Sequence, residues 1–325
     1  MWYSYLAVGV ALVIGVISPA AAPAILAPAL LAGLVGLGIA HGACDHWVMP
    51  TMRALPSGRK PWVHYLARFL AGYLGLALLM VLGWWWWPGA TVGLFFALTV
   101  WHWGTADAPA NQPLGWWLAH SLLRGLLLFA VPATAWPVAT SQIIQSLLSF
   151  MGAAALPGLL VAELTPALVG LVLVGHAALW VRYGLSGQSQ RWQTDAGEAA
   201  LLTALFVLLP PLLALGVYFC FWHSLQHVLR LNQVLGYSAG VAVPWQLGRE
   251  LWLFGQQAWP LLLVSLLAIG GLIQVLAPRL TTPETWLSLA LIIASVVTLP
   301  HALLVSVVLD AQKWRRARSL RFSSK

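Results

Sequence analysis

The chain reads as an all-α bundle of about ten transmembrane helices, and three observations lead there. Of 325 residues, 61% are hydrophobic and only 7% charged, far below the roughly one-quarter charged residues of a soluble domain. Apolar stretches of about twenty residues, each long enough to cross the hydrocarbon core as a helix, recur from end to end. The stretches are continuous rather than alternating. Only helices and closed barrels satisfy every backbone group in lipid, and continuity selects helices.

The first span is 2–18. It runs into Ser18-Pro19-Ala20, which resembles a cleavage site, but Met1 to Leu6 lacks the Lys or Arg that a signal peptide carries. Span two, 22–47, ends where the Met49-to-Pro61 stretch turns polar. Spans 62–83 and 88–104 are parted by Trp87-Pro88-Gly89, and 114–134 follows the loop from Gly104 to Pro113. Segment 138–155 holds Thr140, Ser141, Gln142, Gln145 and Ser146, and on its own resembles an interfacial helix. Counting it as a span makes the number of spans between the basic loop 53–60 and the basic tail even, so that both lie in the cytoplasm. The same count sends the histidine-bearing ends of spans two, four, eight and ten toward one half of the bilayer. Spans 157–182, 198–232, 258–277 and 283–312 complete the bundle, and 233–257, with Arg249 and Glu250, reads as a helix lying in the interface. The expectation is one catalytic membrane domain over 1–312 and a cytoplasmic tail over 313–325, multi-pass in the inner (plasma) membrane.

The net charge of +8 is not a nucleic-acid footprint. Lys313, Arg315, Arg316, Arg318, Arg321 and Lys325 crowd the last thirteen positions, and Arg53, Arg59 and Lys60 share one loop. Basic clusters beside apolar spans mark cytoplasmic segments and contact with anionic lipid; no nucleic-acid partner is expected. Cys44 and Cys220 lie far apart in apolar surroundings and read as core thiols. Trp84 to Trp87 sits at a span end, where aromatic belts anchor helices.

Ionisable residues within spans are costly and usually functional. Here they gather. Span two ends in His41-Gly42-Ala43-Cys44-Asp45-His46, span four in Trp101-His102-Trp103-Gly104-Thr105-Ala106-Asp107, and span eight in Trp222-His223-Ser224-Leu225-Gln226-His227; span ten contains Leu299-Pro300-His301. His223 and His227, four apart, project from one helix face, the spacing by which a helix offers two imidazoles to one metal. Asp45 stands four after His41 and could fix its ring by accepting the free N–H. Imidazole-rich sites suit iron, copper, zinc or nickel. Thiolates and carboxylates are too few for iron–sulfur or carboxylate-bridged di-iron centres, so a mononuclear four-histidine iron site with open positions for oxygen is the natural fit, with copper or zinc behind it. Trp101, Trp103 and Trp222 flank the histidines and could wall a slot for a flat, apolar substrate. His64, His120 and His176 read as interfacial, cavity-lining and packed residues, and Arg124 within span five requires a partner that the sequence does not identify.

Taken in order, HGACDH at 41–46, WHWGTAD at 101–107, WHSLQHVLR at 222–230 and LPHALLV at 299–305 resemble the Brp/Blh family, membrane-bound β-carotene 15,15′-dioxygenases of bacteria and archaea. The resemblance implies iron(II) held by His41, His102, His223 and His227. Asp45, His46, Asp107 and His301 fall to the surrounding shell, and no catalytic side chain is expected beyond the metal centre. It further implies oxidative cleavage of the central double bond of β-carotene with O2 to two all-trans-retinal, with the lipid bilayer as medium and a retinal-accepting rhodopsin as a candidate partner. Two other classes fit parts of the pattern. One is a histidine-box lipid or carotenoid desaturase or hydroxylase, whose HxxHH boxes are missing; the other is a haem-binding electron-transfer protein, with a histidine proton relay in a transporter more distant.

Overall fold

The structure is a computed structural model describing residues 2–52, 58–154, 158–236, 246–311 and 313–314. Arg53 and the tail from Arg315 onward lie outside the described residues, and with them most of the basic charge on which the orientation expectation rests. Among the described residues the secondary structure is helical with no strand. Seven helices among the described residues are long and apolar enough to cross a membrane.

The rods run in order: α1 (Trp2–Ile17); α2 (Ala22–Gly33), continued through a π-turn at Leu34–Ile39 into α3 (Ala40–Ala43) and, after a break at Cys44, α4 (Asp45–Met52); α5 (Arg59–Trp86); α6 (Pro88–Asp107); α7 (Leu114–Ala135); α8 (Pro137–Phe150); α9 (Gly158–Leu185). Next come α10 (Ser189–Leu208), α11 (Pro211–Val217), a π-turn at Tyr218–Ser224, α12 (Leu225–Leu235), α13 (Gln246–Leu276) and α14 (Pro283–Leu304) with a π-turn at Val305–Leu309. Helices α6 and α10 are long enough to span, but α6 carries His102 and Asp107 and α10 carries Arg191, Asp195 and Glu198. Those residues dilute their apolar character.

Two expected boundaries move. The span drawn at 198–232 is two helices, because Pro210 and Pro211 follow one another. Proline removes a helical N–H and forces the preceding residue out of the helical region, and Leu209 is extended at φ −109°, ψ 147°. The interfacial helix drawn at 233–257 is also not separate. Helix α12 stops at Gly236, whose φ of 80° suits a residue without a Cβ. Residues 237–245 lie outside the described set, and Arg249 and Glu250 belong to the first turns of the 31-residue α13.

Glycine sets the closest approaches. A Cβ on Gly104 of α6 would lie 1.8 Å from the Ser121 carbonyl oxygen of α7, and one on Gly125 of α7 would lie 2.0 Å from that of Val100. The two helices therefore interlock backbone to backbone. A Cβ on Gly38 would lie 2.6 Å from the Phe219 ring and one on Gly33 3.0 Å from Cys220 Cβ, so the two π-turns lie against each other. The largest core layer joins Val8, Leu26, Leu128, Leu205, Phe206 and Trp222, and a second, of Cys44, Val48, Val228, Leu231 and Phe254, underlies the histidine-bearing helix ends. Leu74, Leu78 and Leu79 on α5, Leu171, Leu173 and Val174 on α9, and Val264, Leu267 and Val275 on α13 are exposed. Apolar surface on that scale is what lipid covers.

Candidate metal site

Four rods converge to bring five imidazoles together. His41 comes from α3, His102 from α6, His223 and His227 from the Tyr218–Ser224 π-turn and α12, and His301 from α14. Their ring centroids lie 4.8 Å (His41–His301), 4.8 Å (His102–His223), 4.9 Å (His102–His301), 5.1 Å (His227–His301), 5.2 Å (His41–His227) and 5.9 Å (His41–His223) apart. The His223 and His227 rings, 6.2 Å apart and near parallel at 24°, share one face, as four-residue spacing predicts. Three of the four rods carry a π-turn within a few residues of their histidine. Such turns insert one residue into the helical repeat and re-aim side chains, often at functional sites.

The chamber is dry. All five rings are buried, and Nδ1 and Nε2 of both His102 and His223, Nδ1 of His227 and Nε2 of His301 lack any hydrogen-bond partner. Buried polar atoms are nearly always satisfied, so this many orphans in one place mark where something else binds. Imidazoles sharing one metal at about 2.1 Å per nitrogen would have centroids roughly 4.5–6.5 Å apart, the range found here. Among the described residues no three His, Cys, Asp or Glu groups already stand in coordination geometry. The fit to a metal rests on ring proximity, orphaned nitrogens and an all-imidazole donor set, which suits iron, copper or zinc.

The neighbouring residues sort differently from the sequence expectation. Asp45 does not meet His41; the break at Cys44 (φ −92°, ψ −1°) turns it away. Its two oxygens lie 2.8 and 3.0 Å from His301 Nδ1, and Tyr73 Oη donates to it at 3.2 Å. His41 Nδ1 instead faces the Leu37 carbonyl at 3.0 Å. His46 packs on Trp47, with Nδ1 3.1 Å from the Ala43 carbonyl. Asp107 accepts from Trp222 Nε1 at 3.3 Å and from Arg124 at 3.4 Å. Trp103 lies beside His223 at 5.7 Å and packs at a tilt on Tyr218 and Phe219. Trp101 instead donates to Ser306 and packs on Trp117 and Trp314, and Trp222 is held edge-on against Tyr5.

Beyond Trp222 runs a polar network that the sequence did not reveal. Arg124 pairs with Glu198 at 2.8 Å, Asp107 at 3.4 Å and Asp195 at 3.9 Å. Asp195 also binds His120 Nε2 at 2.8 Å and Trp180 Nε1 at 2.7 Å, and His120 Nδ1 faces Tyr183 Oη at 2.9 Å. His176 Nδ1 is 2.8 Å from the Val172 carbonyl and His64 is exposed. Past the chamber, Asp310 holds Arg230 at 3.2 Å and Lys313 at 3.4 Å, and Lys313 also donates to the Thr105 carbonyl. Burial pushes the Lys313 ammonium below the ordinary lysine value, against the pull of Asp310.

A family profile described as β-carotene 15,15′-dioxygenase matches residues 32–309. The probable β-carotene 15,15′-dioxygenase Blh of Halobacterium salinarum is 30% identical over 295 residues, covering 85% of this chain and 82% of the relative. The probable β-carotene 15,15′-dioxygenase Brp of the same organism is 28% identical over 63% of this chain and 58% of the relative. A β-carotene 15,15′-dioxygenase of an uncultured marine bacterium is 25% identical, covering 86% and 92%. No solved structure matches.

Proposed function

The chain belongs to the β-carotene 15,15′-dioxygenase family, and on that footing we propose that it cleaves the 15,15′ double bond of β-carotene with O2 to give two all-trans-retinal, using iron(II) held by His41, His102, His223 and His227. The observation that carries the reading is the buried chamber of close imidazoles, in which both nitrogens of His102 and His223, Nδ1 of His227 and Nε2 of His301 lack partners. Iron(II), when bound, would supply the redox chemistry with dioxygen that no side chain provides. The chain's own share is to hold, orient and keep dry. The π-turns and the Gly104–Gly125 contact fix where the rings stand. Trp103, Tyr218 and Phe219 border His223 as flat apolar walls suited to a conjugated polyene. Water exclusion protects reactive species from side reactions. The two oxygen atoms of O2 end in the two C20 aldehydes, which balances the C40 substrate without any further reductant.

The site also counts against a haem protein, because His41–His227, His102–His301 and His227–His301 centroids only 4.9–5.2 Å apart leave no flat gap for a porphyrin between those rings. The test is expression in a β-carotene-accumulating bacterium followed by chromatography of the extracted pigments. Loss of the orange colour with accumulation of retinal is expected. Unequal apocarotenals would mean an off-centre cut, and intact pigment with iron and oxygen present would mean the substrate is wrong.

A further inference from the structure

We propose that His301 is a fifth imidazole of the metal-holding set and that Asp45, itself held by Tyr73, is its positioning residue. The inference rests on the metal reading above and extends it to residues outside the four-histidine set.

Position comes first. His301 lies 4.8, 4.9 and 5.1 Å, centroid to centroid, from His41, His102 and His227, as near to them as any of the four is to another. It is 4% exposed, and its Nε2 has no partner. Tautomer follows. The Asp45 carboxylate, 2% exposed, can only accept, and it sits 2.8 and 3.0 Å from His301 Nδ1. The proton therefore resides on Nδ1 and the lone pair on Nε2. Metal-bound histidines almost always donate the ring nitrogen that faces away from the metal to a carboxylate or backbone carbonyl. His301 has that arrangement with Asp45, and His41 has it with the Leu37 carbonyl at 3.0 Å. Were the Asp45–His301 pair present only to satisfy a buried carboxylate, nothing would explain an acceptor nitrogen left bare among three other imidazoles. The Tyr73 hydroxyl, donating at 3.2 Å, takes up a further lone pair of Asp45 and fixes the carboxylate in turn.

The helices make this placement possible. Pro300, next to His301, removes one backbone N–H from α14, and the π-turn at Val305–Leu309 follows within one helical turn. The break at Cys44 frees Asp45 from the α3 face that carries His41 and lets it reach α14.

The experiment titrates the purified full-length, metal-free protein in detergent with iron(II), and separately with cobalt(II), whose visible bands weaken as coordination number rises. Wild type, His301→Phe, Asp45→Asn, Tyr73→Phe and the His301→Phe/Asp45→Asn double variant are compared, with unfolding of each metal-free protein as the check on folding. Asp45→Asn should lower iron affinity by about 10–100-fold, the usual effect of losing such a partner. His301→Phe should lower it further and strengthen the cobalt bands. The double variant should bind no worse than His301→Phe, since Asp45 acts only through that ring. Where the metal-free form of His301→Phe does not fold, the milder Asp45→Asn and Tyr73→Phe carry the test, each expected to weaken iron binding and alter the cobalt spectrum. Wild-type affinity and an unchanged cobalt spectrum in the folded variants overturn the assignment and leave the four-histidine reading standing. Failure of the wild type to take up iron overturns both.

Discussion

Arg124 sits in the middle of a membrane helix, with its side chain 1% exposed, and its charge is tolerable only because Glu198, Asp107 and Asp195 surround it. Removing one partner of a buried pair leaves the others uncompensated and costs about 3–5 kcal/mol. Arg124→Gln should therefore lower the unfolding free energy in detergent by about that amount, while Arg124→Gln combined with Glu198→Gln should cost less than the sum of the two. Wild-type stability of the single variant would show that the network is not electrostatically coupled. At the same scale, His223→Ala should lose iron, whereas His64→Ala and His176→Ala should keep it; metal analysis of the purified variants decides. The histidines of the chamber were legible because they stand at span ends and, for His223 and His227, at helical spacing. Arg124's partners were not, because they are 17, 71 and 74 positions away in sequence and only the packing of α6, α7 and α10 selects them. Asp45 misled for a local reason: four-residue spacing predicts a shared face only on an unbroken helix, and Cys44 breaks this one.

The contact between α6 and α7 places His102, and it depends on two atoms that are absent. With a Cβ 1.8 Å from the Ser121 carbonyl oxygen, Gly104→Ala cannot be accommodated by rotating a side chain, because the obstacle is backbone. The helices must part, carrying His102 out of the chamber. Gly104→Ala and Gly125→Ala should each lower stability and iron content together. Gly93→Ala on the same helix, where a Cβ meets nothing within 4 Å, should be neutral or stabilising by about 0.5–1 kcal/mol. Equal behaviour of Gly93→Ala and Gly104→Ala in unfolding and iron assays would refute the interlock. Most elements were readable from apolar length and Pro–Gly boundaries. The helix pair α10 and α11 was not, because Pro210-Pro211 lies inside an otherwise continuous apolar run. The start of α13 was missed for the opposite reason: Arg249 and Glu250 look interfacial although the helix runs through them.

Across the whole molecule, contacts at the helix ends fix which ends share a side of the bilayer. Arg191 at the start of α10 donates to the Asn111 carbonyl, and Tyr183 near the end of α9 accepts from Gln112, so the 186–188 turn lies with the 108–113 loop. Lys313 reaches the Thr105 carbonyl and joins that side. On the opposite side, Trp136 donates to the Phe206 carbonyl, and Arg279 donates to the carbonyl of Phe150. Both ends of α8 therefore belong to one side. Its 14 residues agree, since about 1.5 Å per residue gives roughly 21 Å against a core of about 30 Å. Segment 138–155 was expected to cross on parity grounds. The split of 198–232 into α10 and the α11–α12 rod restores the even count without it. Reporter fusions separate the two arrangements. Fusions after Gly187 and within 108–113 should report the same compartment as one at Lys313, and a fusion after Gly152 the opposite one. A crossing α8 would instead put Gly152 with Lys313 and Gly187 across from both. Of the described basic residues, Arg59, Lys60 and Lys313 stand at the ends of rods on the shared side, and the positive-inside rule predicts that the reporters there read cytoplasmic. On that expectation His41, His102, His227 and His301, all in the C-terminal halves of their rods, fall on the cytoplasmic side of the bilayer's middle, with His223 at the midpoint of the 211–235 rod.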